Sequence, residues 1–245
     1  MKYTILTSSN KKYECLKYNK KLIPNIIIVD WKENNKNRLY YYYNKLKTFT
    51  KRTFIIIMDA SDVICLNSNI SDMFTEFLKF NKDIIFGAED GGRIVFHNEE
   101  YNTLLQFRKV FNFNKPNFKM KYNRRWLNNQ TSLNAGLICG YSDTLVKFFN
   151  KVIDENKHEN KDDQICFIRT IINNNEEYKN IIGLDFESKL FHNFRVFHEM
   201  YNITHNKIIY NKQLIRPYFV HFPGINFMKQ NELFNKLIHE HNINL

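Results

Sequence analysis

The chain has 245 residues, 43% of them hydrophobic and 16% aromatic, with 22 Phe and 14 Tyr, which is enough apolar material for a sizeable core. A disordered chain is thereby excluded, and with only 7 Gly and 4 Pro so are collagen-like repeats, Gly/Ser linkers and Gly-rich phosphate loops. Lys+Arg at 36 against Asp+Glu at 25 leaves a formal +11, which reads either as a polyanion-binding surface or as a solvated, Lys-rich exterior.

Tyr3 to Ser8 predicts a short first strand ending in small hydroxyl residues. Ile26-Ile27-Ile28-Val29 is a continuous apolar run suited to a strand buried on both faces, closed by Asp30-Trp31. Residues 36–48 carry Leu39, Tyr42, Tyr43 and Leu46 at helical steps, and Phe54 to Met58 is the strongest strand signal in the chain. Ile70 to Phe80 has a helical apolar stripe, and Ile84-Ile85-Phe86 is a buried strand ended by Gly87. Residues 90–130 read as a long irregular loop with a helix near Tyr101–Val110. Leu133 to Gly140 is apolar with small residues inside, and Ser142 is placed to cap a helix running to Glu155. Asp162 to Ile172 predicts a further helix, Val220-His221-Phe222 ends a late strand, and Glu232 to Glu240 is a terminal amphipathic helix. With no repeat or linker visible, residues 1–245 read as one domain. Strand–helix alternation with buried strands predicts a mainly parallel α/β sheet, whose ligands bind beyond the carboxyl ends of the strands.

No apolar run approaches the ~18–20 residues that span a bilayer, and the first nine residues are too short and polar for a signal peptide. The cysteines (Cys15, Cys65, Cys139 and Cys166) have no CxxC spacing and read as small buried hydrophobes in a reducing compartment. The expectation is a cytoplasmic protein with no membrane partner.

Four constellations bear chemistry. Asp59-Ala60-Ser61-Asp62 directly follows the strongest strand, so its carboxylates are either hard oxygen ligands for Mg²⁺ or Mn²⁺ or parts of a turn or helix cap. His221 follows the late strand and is either a structural histidine or the nitrogen that completes a Mn²⁺ site, with Lys229 a candidate partner for diphosphate charge. Asn134-Ala135-Gly136 offers a polar group among small residues that permit close backbone approach. Asp162-Asp163-Gln164 opens a helix, either complementing its dipole or presenting carboxylates to a ligand.

Their joint order resembles the GT-A glycosyltransferases, most closely the glycosyltransferase domain of procollagen lysyl hydroxylases and its viral relatives. Asp59 to Val63 is similar to that family's metal motif, and Ile85-Phe86-Gly87-Ala88-Glu89 to its next strand. Leu133 to Gly140 is similar to its small-residue segment, and Asp162-Asp163-Gln164 to its acidic run. Leu184-Asp185 through Phe191-His192-Asn193 keeps its spacing, and Val220-His221 with Gly224 matches its terminal His-Gly region. The resemblance implies a Rossmann-like GT-A fold, a single mixed sheet flanked by helices. It also implies a UDP-sugar donor, a protein or glycan hydroxyl acceptor such as hydroxylysine on a collagen-like protein, and Mn²⁺ (or Mg²⁺) held by Asp59, Asp62 and His221. Thr7, Trp31, Ser61, Glu89, Gln164, Gly224 and Lys229 fall to donor binding, and Asp162, Asp163 and Asn134 to catalysis. Where the family carries a base-packing aromatic between its aspartates, this chain has Ser61; its Gly-rich stretch before the third strand is replaced by Asn37-Arg38-Leu39. Two other functions compete: a basic module for nucleic acid or another polyanion, and a GT-A scaffold that binds glycans without turnover.

Overall fold

Five apolar residues ending in an acid, Phe54 to Asp59, form the strand around which the rest is built. In the computed structural model, the described residues are 2–9, 13–30, 38–90, 107, 131–157, 162–194, 201–204, 207–210, 213–223, 232 and 234–237. The first half of the chain forms β1 (Tyr3–Ser9), α1 (Glu14–Leu22), β2 (Ile26–Asp30), α2 (Arg38–Leu46), β3 (Phe54–Asp59), β4 (Val63–Cys65), α3 (Ile70–Leu78) and β5 (Ile84–Asp90). After it come β6 (Thr131–Tyr141), α4 (Ser142–Asn156), α5 (Asp163–Asn173), α6 (Asn175–Tyr178), β7 (Ile182–Asp185) and β8 (Phe191–Asn193). Short strands β9 (Tyr201–Thr204), β10 (Lys207–Tyr210), β11 (Gln213–Ile215) and β12 (Phe219–His221) follow. Residues 232 and 234–237 are helical, inside the predicted terminal helix, whereas the helix expected near 101–110 lies outside the described residues except for Phe107.

The central sheet has the order β2-β1-β3-β6-β5-β7. It is mixed, as expected: β1 runs parallel to β2 and β3, β5 runs parallel to β7, and β6 is antiparallel to both its neighbours. Two three-stranded sheets, β4-β12-β8 and β11-β10-β9, add to it. Alternation sorts the core. Ile55, Ile57, Ile84, Phe86 and Ile138 pack under α2, α4 and α5, while Phe54, Ile56, Met58, Ile85 and Cys139 pack under α1 and α3. All four cysteines are buried and none is in a disulfide.

Two local expectations are corrected. The run of β2, at the edge of the sheet, is not buried along its whole length: Ile26 and Val29 are buried, but Ile28 is 37% exposed. Ser142 does not cap α4: it is the first helical residue, and Tyr141 at the cap position offers no side-chain bond. The Ser142 hydroxyl instead accepts the Thr53 N–H at 3.0 Å, tying the start of α4 to the start of β3.

Asn19 on α1 shows how a buried polar side chain can replace a strand. Its Nδ2 donates to the Val63 carbonyl and its Oδ1 accepts the Cys65 N–H, each at 2.8 Å, so it pairs the outer edge of β4 as a neighbouring residue would. Asn19 is fully buried. Asn19→Leu strands one buried backbone donor and one acceptor, an expected loss of about 2–6 kcal/mol in urea unfolding at about 1–3 kcal/mol per group. A loss under about 1 kcal/mol contradicts this account of β4.

His192 on β8 is buried, its Nδ1 2.8 Å from the Ser188 hydroxyl, and burial pushes it down to about 3. The native state therefore holds a neutral imidazole that the unfolded chain protonates below about 6.5. Its contribution is full above that pH and is lost as pH falls toward 3. Asp185, raised to about 6 by burial, titrates with the opposite sign over part of that range, so the comparison must be made between variants. The stability gap between wild type and His192→Gln is expected to narrow by about 2 kcal/mol from pH 6.5 to about pH 5. A gap independent of pH refutes the assignment.

Candidate active site

Asp59 is the last residue of β3 and belongs to the central sheet. The chain turns through Ala60 and Ser61, and after Asp62 it enters the small sheet as β4. There β12 pairs with β4, placing His221 opposite Val63, and the Phe222 N–H donates to the Asp62 carbonyl at 2.9 Å. The two-residue spacer thus carries the acidic pair around a corner between two sheets and brings both carboxylates to one imidazole. One ligand atom from each of Asp59, Asp62 and His221 lies within 4.8 Å of the others. His221 Nε2 is buried, 3.4 Å from Asp62 Oδ2 and 3.8 Å from Asp59 Oδ2, and among the described residues it has no hydrogen-bond partner of good geometry.

The reversed strand β6 completes the cradle. Between Phe86 and Gly87 of β5 the pairing on β6 jumps from Ile138 to Asn134, so extra residues bulge out of β6 at this point. The bulge includes Gly136, where a Cβ would stand 2.4 Å from His221 Cε1 and 2.9 Å from Asp59 Oδ2. On the far side of the ring, His221 Nδ1 lies 2.9 Å from both Asn134 Oδ1 and Asn193 Oδ1. Gly87 leaves room for Asn193, since a Cβ there would meet its Nδ2 at 2.8 Å.

Charge follows this geometry. Burial drives the Asp59 carboxyl upward against the pull of Arg38, and nearby Asp62 adds to the rise. Burial also opposes the Asp62 charge, but His221 outweighs it and holds this carboxyl below its ordinary range. His221 is depressed by burial and lifted further by Asp62 and Asp59, for a net rise. Arg38 on α2 donates to Asp59 Oδ1 at 2.5 Å and clamps Asp163 through Nε at 3.0 Å and through Nη2. Burial opposes the guanidinium charge, but Asp59 and Asp163 together keep it firmly protonated. Two carboxylates facing an unbonded imidazole nitrogen suit a divalent cation of the Mn²⁺ or Mg²⁺ type, as does the space that only glycine leaves at 136.

The sequence profile of the PLOD GT domain matches residues 34–243. The chain belongs to this family. Among solved structures, this PLOD-type domain is similar to a glycosyltransferase involved in glycosylating the major capsid of PBCV-1, at TM-score 0.54 and 11% identity. That likeness covers 96% of this chain and 100% of the other. It is also similar to mouse xyloside xylosyltransferase 1 in its apo form (TM-score 0.48, 12% identity, 93% of this chain and 100% of that one). The likeness to the PBCV-1 capsid glycosyltransferase is one of fold, the GT-A glycosyltransferase fold. No curated protein sequence matches the chain.

Within this PLOD-type domain the structure brings together most of the residues that the sequence singles out. Asn134 touches His221 and donates through Nδ2 to Glu89 Oε2 at 2.8 Å. Gln164 donates to Glu89 Oε1 at 3.1 Å and accepts the Ala135 N–H at 3.3 Å. Asp162 stands at the N-cap of α5 and accepts the Gln164 N–H at 2.9 Å, while Asp163 faces Arg38. Ser61 is exposed on the turn and donates to Asp62 Oδ1 at 3.1 Å. Thr7 lies fully buried in β1, its hydroxyl without a hydrogen-bond partner among the described residues. Trp31, Gly224 and Lys229 lie outside the described residues. Arg38 and Asn193 take site positions that sequence reasoning did not give them. Arg38 closes a polar Lys/Asn stretch that looks like surface, and the only signal for Asn193 was its kept spacing from Leu184-Asp185.

Proposed function

We propose that this PLOD-type domain transfers a sugar from a UDP-sugar to a hydroxyl acceptor, with hydroxylysine-linked glycan on a collagen-like protein as the acceptor class its family suggests. The observation that carries the reading is the Asp59–Asp62–His221 cluster with its buried, unbonded Nε2. These three residues would hold Mn²⁺, with Mg²⁺ a weaker fit because one donor is nitrogen. When bound, the cation supplies the positive charge that lets a nucleoside diphosphate depart.

The remaining steps belong to side chains of this chain. Arg38 holds Asp59 and Asp163 in fixed relation, so the first acid of the metal motif and the start of α5 move as one unit. Asp162, which caps α5, and Asp163, which Arg38 clamps, are oriented to take sugar hydroxyls or the acceptor proton. Glu89, itself buried, orients buried Asn134 and half-buried Gln164. A thermal-shift screen of UDP, UDP-sugars and other nucleotides, with and without Mn²⁺, tests the whole reading. Uridine ligands are expected to raise Tm only when Mn²⁺ is present. Stabilisation that ignores Mn²⁺, or none by any uridine nucleotide, overturns the proposal.

A further inference from the structure

Resting on the metal reading above, we propose that Asn134 and Asn193 are positioning residues that lock His221 as its Nδ1–H tautomer, delivering an unprotonated Nε2 to the space shared with Asp59 and Asp62. The argument begins with which atom of each amide faces the ring. Asn134 Nδ2 donates to the Glu89 carboxylate, which only accepts, and its Oδ1 already receives the Gly136 N–H at 2.8 Å. Asn193 Nδ2 donates to the Ala88 carbonyl at 2.8 Å, another pure acceptor. Both side chains are therefore pinned with oxygen toward His221. Two oxygens 2.9 Å from one ring nitrogen leave no donor for a lone pair there, so Nδ1 carries the hydrogen and a neutral ring has its lone pair on Nε2.

The lock has two independent anchors. Asn134 is set by Glu89 at the end of β5, and the same carboxylate binds Gln164 on α5, so one buried acid orients the imidazole and the helix bearing Asp162 and Asp163. Asn193 is set by the backbone of Ala88, through the gap that Gly87 leaves open. Outer partners of this kind fix ligand orientation, and their loss weakens metal binding by roughly 10–100-fold.

Long-range ¹⁵N–¹H spectra of the full chain with ¹⁵N-labelled histidine, assigned with His221→Gln, read the tautomer directly. Two samples are compared: metal-free protein, alkaline enough to leave the ring neutral, and Cd²⁺-loaded protein. The expected result is Nδ1–H in both, with the Nε2 signal moving on Cd²⁺ addition. An Nε2–H tautomer in the metal-free sample overturns the lock, whether or not metal binds. If the Nδ1–H tautomer stands but neither Cd²⁺ nor Mn²⁺ binds, the lock holds and the metal reading falls. Asn193→Leu and Asn134→Leu are expected to weaken Mn²⁺ binding, followed by EPR of free Mn²⁺, by about 10–100-fold and to admit the Nε2–H tautomer. Wild-type affinity with an unchanged tautomer in both folded variants also overturns the proposal.

Discussion

Gly136→Ala is expected to leave the domain folded while lowering sugar transfer by at least about 100-fold, the scale set by a displacement of about 1 Å at a reacting centre. The new methyl group would sit 2.4 Å from His221 Cε1, 2.8 Å from Nδ1 and 2.9 Å from Asp59 Oδ2. Neither neighbour has an easy retreat. The ring is held at Nδ1 by Asn134 and Asn193, and Asp59 is held by Arg38. Relief therefore comes from moving ligand atoms apart, which is the displacement a metal site tolerates least. Overpacking of this kind costs about 1–3 kcal/mol of stability, too little to explain lost activity by unfolding. Gly140→Ala is the matched control, because its Cβ would meet the Asp83 carbonyl at 2.5 Å on the same strand. That variant should lose stability but keep Mn²⁺ affinity. If Gly136→Ala binds Mn²⁺ as wild type does, the cradle has been misread.

Asp59→Asn is expected to separate stability from function in the opposite direction. The amide keeps an oxygen for Arg38 but removes a charge that burial and Asp62 already disfavour. Metal-free Tm should hold or rise, the pattern of a site that gives up stability for activity. The wild type, at Mn²⁺ about 100 times its Kd, gains about 2.7 kcal/mol, which for a chain this size is a rise of roughly 5–10 °C in Tm. Asp59→Asn should lose that rise entirely. Transfer should fall on the order of 10³-fold, since a bound cation contributes several kcal/mol of charge stabilisation in the transition state. A full Mn²⁺-dependent Tm shift in Asp59→Asn removes this carboxylate from the ligand set.

What could be read from the sequence was what repeats with a period or sits beside something that does. Phe54 to Met58 and Ile84 to Phe86 are uninterrupted apolar runs, and both are buried strands of the central sheet. Asp59 and Asp62 were legible because they follow the stronger of these. Helix α1 escaped because Asn19, facing the interior, breaks the apolar stripe that marks an amphipathic helix. Apolar runs carry no direction, so the reversal of β6 was invisible, and a strand as short as β4 falls below any periodic signal. Asn193 is one asparagine among many. Its importance comes from standing opposite His221 in the small sheet, a pairing across 28 residues of sequence.

The corner at Ala60-Ser61 has a mechanical consequence. Asp59 is anchored in the six-stranded sheet, whereas Asp62 and His221 are anchored where β4 meets β12. A cation gripped by all three would act as a rivet across the seam between the two sheets. Occupancy of one small site would then be felt as slower backbone hydrogen exchange throughout β4, β8 and β12, far beyond the few atoms that touch the ion.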